Sequence, residues 1–405
     1  MLGGFLSRLF RSRRVALAVL GNGTVSLASL ALSVSIARSS SVAGFGAFSL
    51  AMVAYMFASG LVRSALTDSA VSRPEDPETY ARSFQRAGVV ALLCAGVLIV
   101  WGLLSENGYL VVLGASLHGQ VALDFIRAFD SAAGDARRAA VATAAWSAPT
   151  LVTAVLSLSV PIDPLLIFVV WAAGGAVCGY VLLVRTAAPF IPRWPRNPED
   201  TKVAATFAMD YMVGSGGSLL TTGLLGLLDN TRVLGAVRGA GTLLGPLNLL
   251  STTARSLMLP LLGRRREDPD EQLRTAIGAA AAQTLVLAPL FVALQFIPDS
   301  WGEQLLGDTW ALASLALLPM GVDSIFALIS AVASSGHRVA FAATRSLLLR
   351  LAVGVPRPVV VLFCGYTWGV AGAAWSMAVV SMVNAVIWWI SYVDLTRRAS
   401  RPPTE

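Results

Sequence analysis

The chain has 405 residues, 56% of them hydrophobic and only 13% charged, with a mean hydropathy of +0.70. A soluble globular domain carries about 25% charged residues. Disorder, a disulfide scaffold and a nucleic-acid-binding domain are excluded, so the formal net charge of +7 calls for an explanation other than a polyanionic partner.

In chain order, residues 1–14 set Leu2, Phe5, Leu6, Leu9 and Phe10 against Arg8 and Arg11, the pattern of a short amphipathic segment lying in a membrane interface. Apolar spans are predicted at 15–37, 43–67, 84–104, 109–133, 139–160, 164–186, 203–228, 233–262, 275–297, 305–333, 342–363 and 368–393. Each is long enough to cross ~30 Å of hydrocarbon at ~1.5 Å per helical residue. The first is too long for the core of a cleavable signal, and no A-x-A-type site follows it. The expected fold is all-α: a polytopic membrane protein of twelve helices in two six-helix halves, 15–186 and 203–393. A cytoplasmic linker at 187–202 joins them, and a tail follows at 394–405. The longest external connection, 298–304, is expected as a loop. No external domain is long enough to hold an active site, so function is expected between the helices and no enzyme activity is anticipated.

Orientation follows from the basic residues, because cytoplasmic ends carry an excess of Lys and Arg. Of the 30 Lys and Arg residues, 22 fall at one set of span ends, among them Arg73, Arg82, Arg86, Arg137, Arg138, Arg193 and Arg345. Only Arg38 and Arg232 fall at the other set. Both termini are therefore expected in the cytoplasm and the protein in the plasma membrane. Topology explains most of the positive charge.

The two halves echo one another weakly. Gly21-Asn-Gly-Thr in span 1 answers Gly214-Ser-Gly-Gly in span 7. Val62-Arg63-Ser64 in span 2 answers Ala254-Arg255-Ser256 in span 8. Repeated halves with Gly-interrupted helices are a transporter architecture, and the glycines of spans 1 and 7 are expected to weaken those helices where they bend.

Ionisable residues at membrane depth are costly and mark candidate sites. They are Arg63, Arg127, Arg238, Arg255, Arg350 and Arg357 against Asp124, Asp130, Asp210 and Asp323. Arg63, Arg238 and Arg255 can either line a cavity or reach out to headgroups. Arg350 reads as an interfacial anchor. Arg357, between Pro356 and Pro358, can serve structure or substrate. Asp124, Arg127 and Asp130 stand at i, i+3 and i+6, one face of a helix, where neutralisation within the helix is the favoured reading over proton coupling. Asp210 and Asp323 can pair with Arg on neighbouring helices or couple an ion. His118, His337, Cys94, Cys178 and Cys364 have no metal-ligand spacing, and no metal or cofactor is expected. Gly239-Ala-Gly241 to Gly245 imitates a dinucleotide fingerprint with the wrong last spacing, and no nucleotide-hydrolysis motif occurs.

The stretches Ala37-Arg38 with Gly44-Phe-Gly-Ala-Phe-Ser-Leu-Ala51, Leu234-Gly-Ala-Val-Arg-Gly running to Leu244-Gly-Pro-Leu-Asn, and Leu259-Pro260 before an Arg cluster carry a resemblance. The chain resembles the MOP flippase superfamily, most closely the oligosaccharide flippases of polysaccharide biosynthesis (O-antigen type), over nearly its whole length. The resemblance implies two lobes around a cavity open alternately to each side, and export of a polyprenyl-pyrophosphate-linked oligosaccharide. On this sequence the cationic lining would fall on Arg63, Arg238 and Arg255, with Asn22, Asn248 and Arg357 beside them, and ion coupling on Asp210 or Asp323. It also implies membrane lipids as surroundings, a glycan polymerase or glycosyltransferases of the same pathway as partners, and a monomer. A cation/drug antiporter of the related MATE family and a non-transporting scaffold of the same fold are the alternatives; the Arg excess argues against the first.

Overall fold

A computed structural model describes residues 13–71, 77–133, 136–186, 193–195, 197–227, 231–245, 258, 261–263, 265, 267–340 and 342–399. Every regular element among them is helical. Eight helical stretches are long and apolar enough to cross a membrane by length and composition. Helix is what the bilayer dictates, since each backbone N–H and C=O must be satisfied within the segment. The chain is a multi-pass membrane protein.

Contacts divide the chain into two compact units, Met1–Leu219 and Leu220–Glu405. The first contains α1 (Arg13–Ser39), α2 (Val42–Val62), α3 (Pro77–Leu104), α4 (Gly108–Ala133), α5 (Ala136–Leu156), α6 (Pro164–Thr186) and α7 (Pro198–Tyr211). The helix α8 (Gly217–Leu227) straddles the division, so most of the seventh predicted span packs with the first six. The second unit holds α9 (Thr231–Leu243), α10 (Pro269–Leu294), α11 (Asp299–Leu306), α12 (Trp310–Val339), α13 (Ala343–Gly354) and α14 (Pro356–Ala399).

Short polar residues start these helices by accepting a hydrogen bond from an otherwise unpaired backbone N–H. Ser41 Oγ accepts from Gly44 N at 3.1 Å, Asn107 Oδ1 from Tyr109 N at 3.1 Å and Asp268 Oδ1 from Glu271 N at 2.9 Å. Packing then follows small residues. On α4 and α6, Gly119 and Gly179 bring two backbones together so closely that a Cβ on Gly179 would overlap the Gly119 carbonyl. Phe45, Phe48 and Phe168 fill the interior of the first unit. In the second, Val233, Val237, Leu287, Phe291, Ala316 and Ala373 form one core across α9, α10, α12 and α14. The outward faces are apolar too: Leu93, Val97 and Leu104 on α3 are 65% exposed or more, as lipid-facing positions should be.

Three expectations are corrected. Residues 298–304, expected as a loop, lie mostly in the helix α11. Pro298 takes the N-cap position there and Asp299 Oδ1 accepts from the Trp310 indole at 2.9 Å. Span 3 begins seven residues early, since Pro77 can open a helix but not continue one. The Gly21/Gly23 stretch does not interrupt span 1, because α1 runs through both; span 7 instead widens into a π-helical segment at Met212–Gly216. A second π-helical segment, Arg63–Thr67, ends span 2. Beside Arg357, α13 ends at Gly354 and α14 starts at Pro356. A further break falls within α14 at Gly369, whose φ of 60° and ψ of −142° only glycine adopts without strain.

Candidate functional site

In the first unit, Arg63 opens the π-helical segment of span 2 and its side chain is exposed. It forms no ion pair among the described residues. The widened turn is held by span 7: Ser64 Oγ donates to the Phe207 carbonyl at 3.1 Å, and Tyr211 Oη donates to the Met56 carbonyl at 3.2 Å. Gly60 makes room for Tyr211, whose ring a Cβ at that position would overlap. π-helical turns recur at functional sites because they redirect side chains. Met56, Phe207 and Met212 on the same pair of spans are exposed as well. Just beyond the span, partial desolvation raises the Asp68 carboxyl above its ordinary pKa and the Arg63 charge opposes the rise.

Deeper in the same unit, Asp124 and Arg127 on α4 pair at 3.3 Å, as their spacing predicts. The pair is not alone. Tyr55 Oη from α2 donates to Asp124 Oδ2 at 3.0 Å, and Arg127 Nη1 donates to Thr143 Oγ1 of α5 at 3.3 Å. The Arg127 guanidinium also sits over the Trp146 ring at 5.8 Å. Asp130 takes a different partner from the one its spacing suggested, Arg138 of α5 at 3.3 Å.

In the second unit, Asp323 of α12 pairs with Arg357 of α14 at 3.2 Å and accepts from Ser381 Oγ at 2.5 Å. This realises the pairing with a neighbouring helix open to Asp323. Arg238 is half-buried on α9, where its backbone carbonyl accepts from Thr242 Oγ1 at 2.9 Å. Asn22 and Asp210 lie in α1 and α7, but their side chains fall outside the described residues, as do Asn248 and Arg255 altogether.

Two networks at the Arg-rich ends had no sequence signal. The segment after α6 is strapped to α3 by Arg82, which pairs with Asp200 at 2.9 Å. Fully buried Arg86 donates to the Pro195 carbonyl at 2.7 Å and lies 5.5 Å from the Trp194 ring. In the second unit Ser391 joins His337 at 3.0 Å to Arg345 at 2.6 Å, and Arg345 pairs with Asp394 at 2.8 Å. No group of three or more metal-ligating side chains occurs among the described residues.

No protein-family model and no curated protein sequence matches the chain. Solved structures do. A multidrug-resistance MATE transporter of the MOP superfamily in its inward-facing conformation aligns with a TM-score of 0.70 at 14% identity, covering 93% of this chain and 96% of its own. The lipid II flippase MurJ, inward closed, aligns with a TM-score of 0.70 at 11% identity, covering 95% and 90%. An outward-facing MATE transporter of the superfamily reaches 0.62 at 13% identity, covering 95% and 96%. The chain thus has the fold shared by these membrane transporters along nearly its full length.

Proposed function

We propose that the protein is a membrane flippase that moves an anionic polyprenyl-(pyro)phosphate-linked oligosaccharide from the inner to the outer leaflet by alternating access, for cell-surface polysaccharide. A lipid II flippase and a multidrug transporter align with the chain at the same TM-score, so charge is the ground for choosing between them. An organic cation needs an available carboxylate at membrane depth. The described ones are engaged instead: Asp124 by Arg127 and Tyr55, Asp130 by Arg138, and Asp323 by Arg357 and Ser381. Arg63 is exposed and forms no ion pair among the described residues. That contrast carries the reading.

Guanidinium groups offer phosphate charge-assisted, bidentate hydrogen bonds. Arg63, Arg238 and Arg255 are the proposed diphosphate ligands, with Asn22 and Asn248 as polar lining; Arg357, engaged by Asp323, is assigned to structure. With Asp323 engaged as well, Asp210 is the proposed coupling group of the two. Outward movement of an anion is favoured by about 2.3 kcal/mol per charge per 100 mV of inside-negative potential, so no nucleotide need be hydrolysed. Twelve crossings, cytoplasmic termini, a plasma-membrane location, a monomer and a partnership with the glycan polymerase or glycosyltransferases belong to the same proposal.

Binding tests it. Purified protein should bind a polyprenyl-pyrophosphate oligosaccharide, and R63A should weaken binding about tenfold, the equivalent of ~1.4 kcal/mol for one charge-assisted contact. Saturable binding of an organic cation with no affinity for the lipid would replace this reading with the antiporter.

A further inference from the structure

The first unit carries a second amphiphilic feature, whose lining does not include Arg63. A groove of about 650 Å³ runs between α5 and α6, within the ~300–1,000 Å³ range of ligand sites. Its mouth is basic, formed by Arg137 and Arg138 at the start of α5. Its walls are apolar, with Val141 and Ala145 on α5 facing Val177 and Val181 on α6. These valines are 61%, 59% and 46% exposed in chain order, so the walls are open. Arg137 and Ala145 are eight residues apart, a depth of about 12 Å along a helix, close to half of the ~30 Å hydrocarbon thickness.

We infer that this groove is a binding site for one anionic phospholipid of the Arg-rich leaflet, with its phosphate on Arg137 and an acyl chain along the valine walls. Charge selects the lipid. Arg138 is paired with Asp130 at 3.3 Å, and the Asp130 side chain is nearly buried. Among the described residues, two guanidinium groups and one carboxylate leave a single positive charge at the mouth, which matches one phosphodiester. An ammonium headgroup finds no exposed carboxylate there among the groove's lining residues. Phosphatidylglycerol is therefore favoured over phosphatidylethanolamine. A soluble phosphate would meet Arg137 but leave the apolar walls unfilled, which favours a lipid over the free ion. Such a lipid would sit on the outer wall of the unit as a bound component and would not be transported.

Cys178 lines the same groove and is half-buried, so the protein contains its own reporter. With Cys94 and Cys364 replaced by Ser in the full chain, delipidated protein is titrated with phosphatidylglycerol, phosphatidylethanolamine or inorganic phosphate while a membrane-permeant maleimide modifies Cys178. Bound lipid is counted in parallel by native mass spectrometry. Phosphatidylglycerol alone should slow modification saturably, with one lipid retained. R137E should raise the concentration needed by about tenfold or more, the scale of one lost charge-assisted contact, and R137K should behave as wild type. Arg137 is exposed and outside the proposed transport residues, so R137E should fold. Equal protection by phosphatidylethanolamine, protection by inorganic phosphate, or an unchanged R137E would each overturn the site.

Discussion

Asp323 has two partners on α14, the Arg357 guanidinium and the Ser381 hydroxyl, and neither is near it in sequence. In a low-dielectric setting removal of one member of such a pair costs more than the pair itself contributes, because the other charge is left uncompensated. R357A should therefore destabilise the purified protein by about 3 kcal/mol or more, read as a lowered Tm in detergent, and R357A/D323A should recover part of the loss. Equal Tm values for single and double variants would show that the two charges do not depend on each other. Tyr55 poses a gentler test. Y55F deletes one donor to Asp124 while Arg127 still neutralises it, so the cost should be near 1 kcal/mol, the net worth of a single hydrogen bond. At this scale the sequence was half legible. Asp124 and Arg127 announce themselves by an i, i+3 spacing, and the candidate partnership of Asp323 with a neighbouring helix followed from the cost of a lone buried charge. Asp130 turned to Arg138 across an interhelical connection, and no periodicity along one helix anticipates that. Tyr55, Thr143 and Ser381 were missed because a hydroxyl inside an apolar span carries no mark until its partner is placed.

Helices in lipid associate through close backbone approach more than through burial, since lipid is as apolar as leucine. The crossing of α4 and α6 at Gly119 and Gly179 is the tightest test of that idea, because the atom a new Cβ would strike is backbone and cannot swing away. G179A should push the helices apart and lower the Tm by more than any other single methyl addition proposed here. G96A, on α3, meets nothing within 4 Å. It should be neutral or stabilising by about 0.5–1 kcal/mol through helix propensity and a less flexible unfolded chain. If the two variants were alike, the close approach would not be what holds these helices. Element existence was readable from apolar runs; element ends were not. Helix α11 and the early start of α3 both rest on a proline at the opening and on polar partners, Trp310 for Asp299 and Asp200 for Arg82, that lie elsewhere in the chain.

For the whole molecule, the division of contacts at Leu219 and Leu220 places most of span 7 with the first unit, although the polar, Pro-rich 187–202 segment looks like the natural joint. The reason is visible in the packing: α7 is tied to span 2 by Ser64, Tyr211 and the space left at Gly60. Arg82 pairs with Asp200 in its first turn, and Arg86 holds the segment before it. The basic-residue asymmetry makes its own prediction. Reporters fused to residue 405 and to the amino terminus should both be active only on the cytoplasmic side, and opposite signals would mean an odd number of crossings.

Most direct for the proposed activity is translocation itself. Purified protein in liposomes should move a polyprenyl-pyrophosphate oligosaccharide to the protected leaflet, faster when the potential favours the anion. R63A should slow it about tenfold or more, as loss of a charge-assisted diphosphate contact requires. Unchanged flipping in R63A/R255A, or movement of organic cations and not of the lipid, would contradict the account.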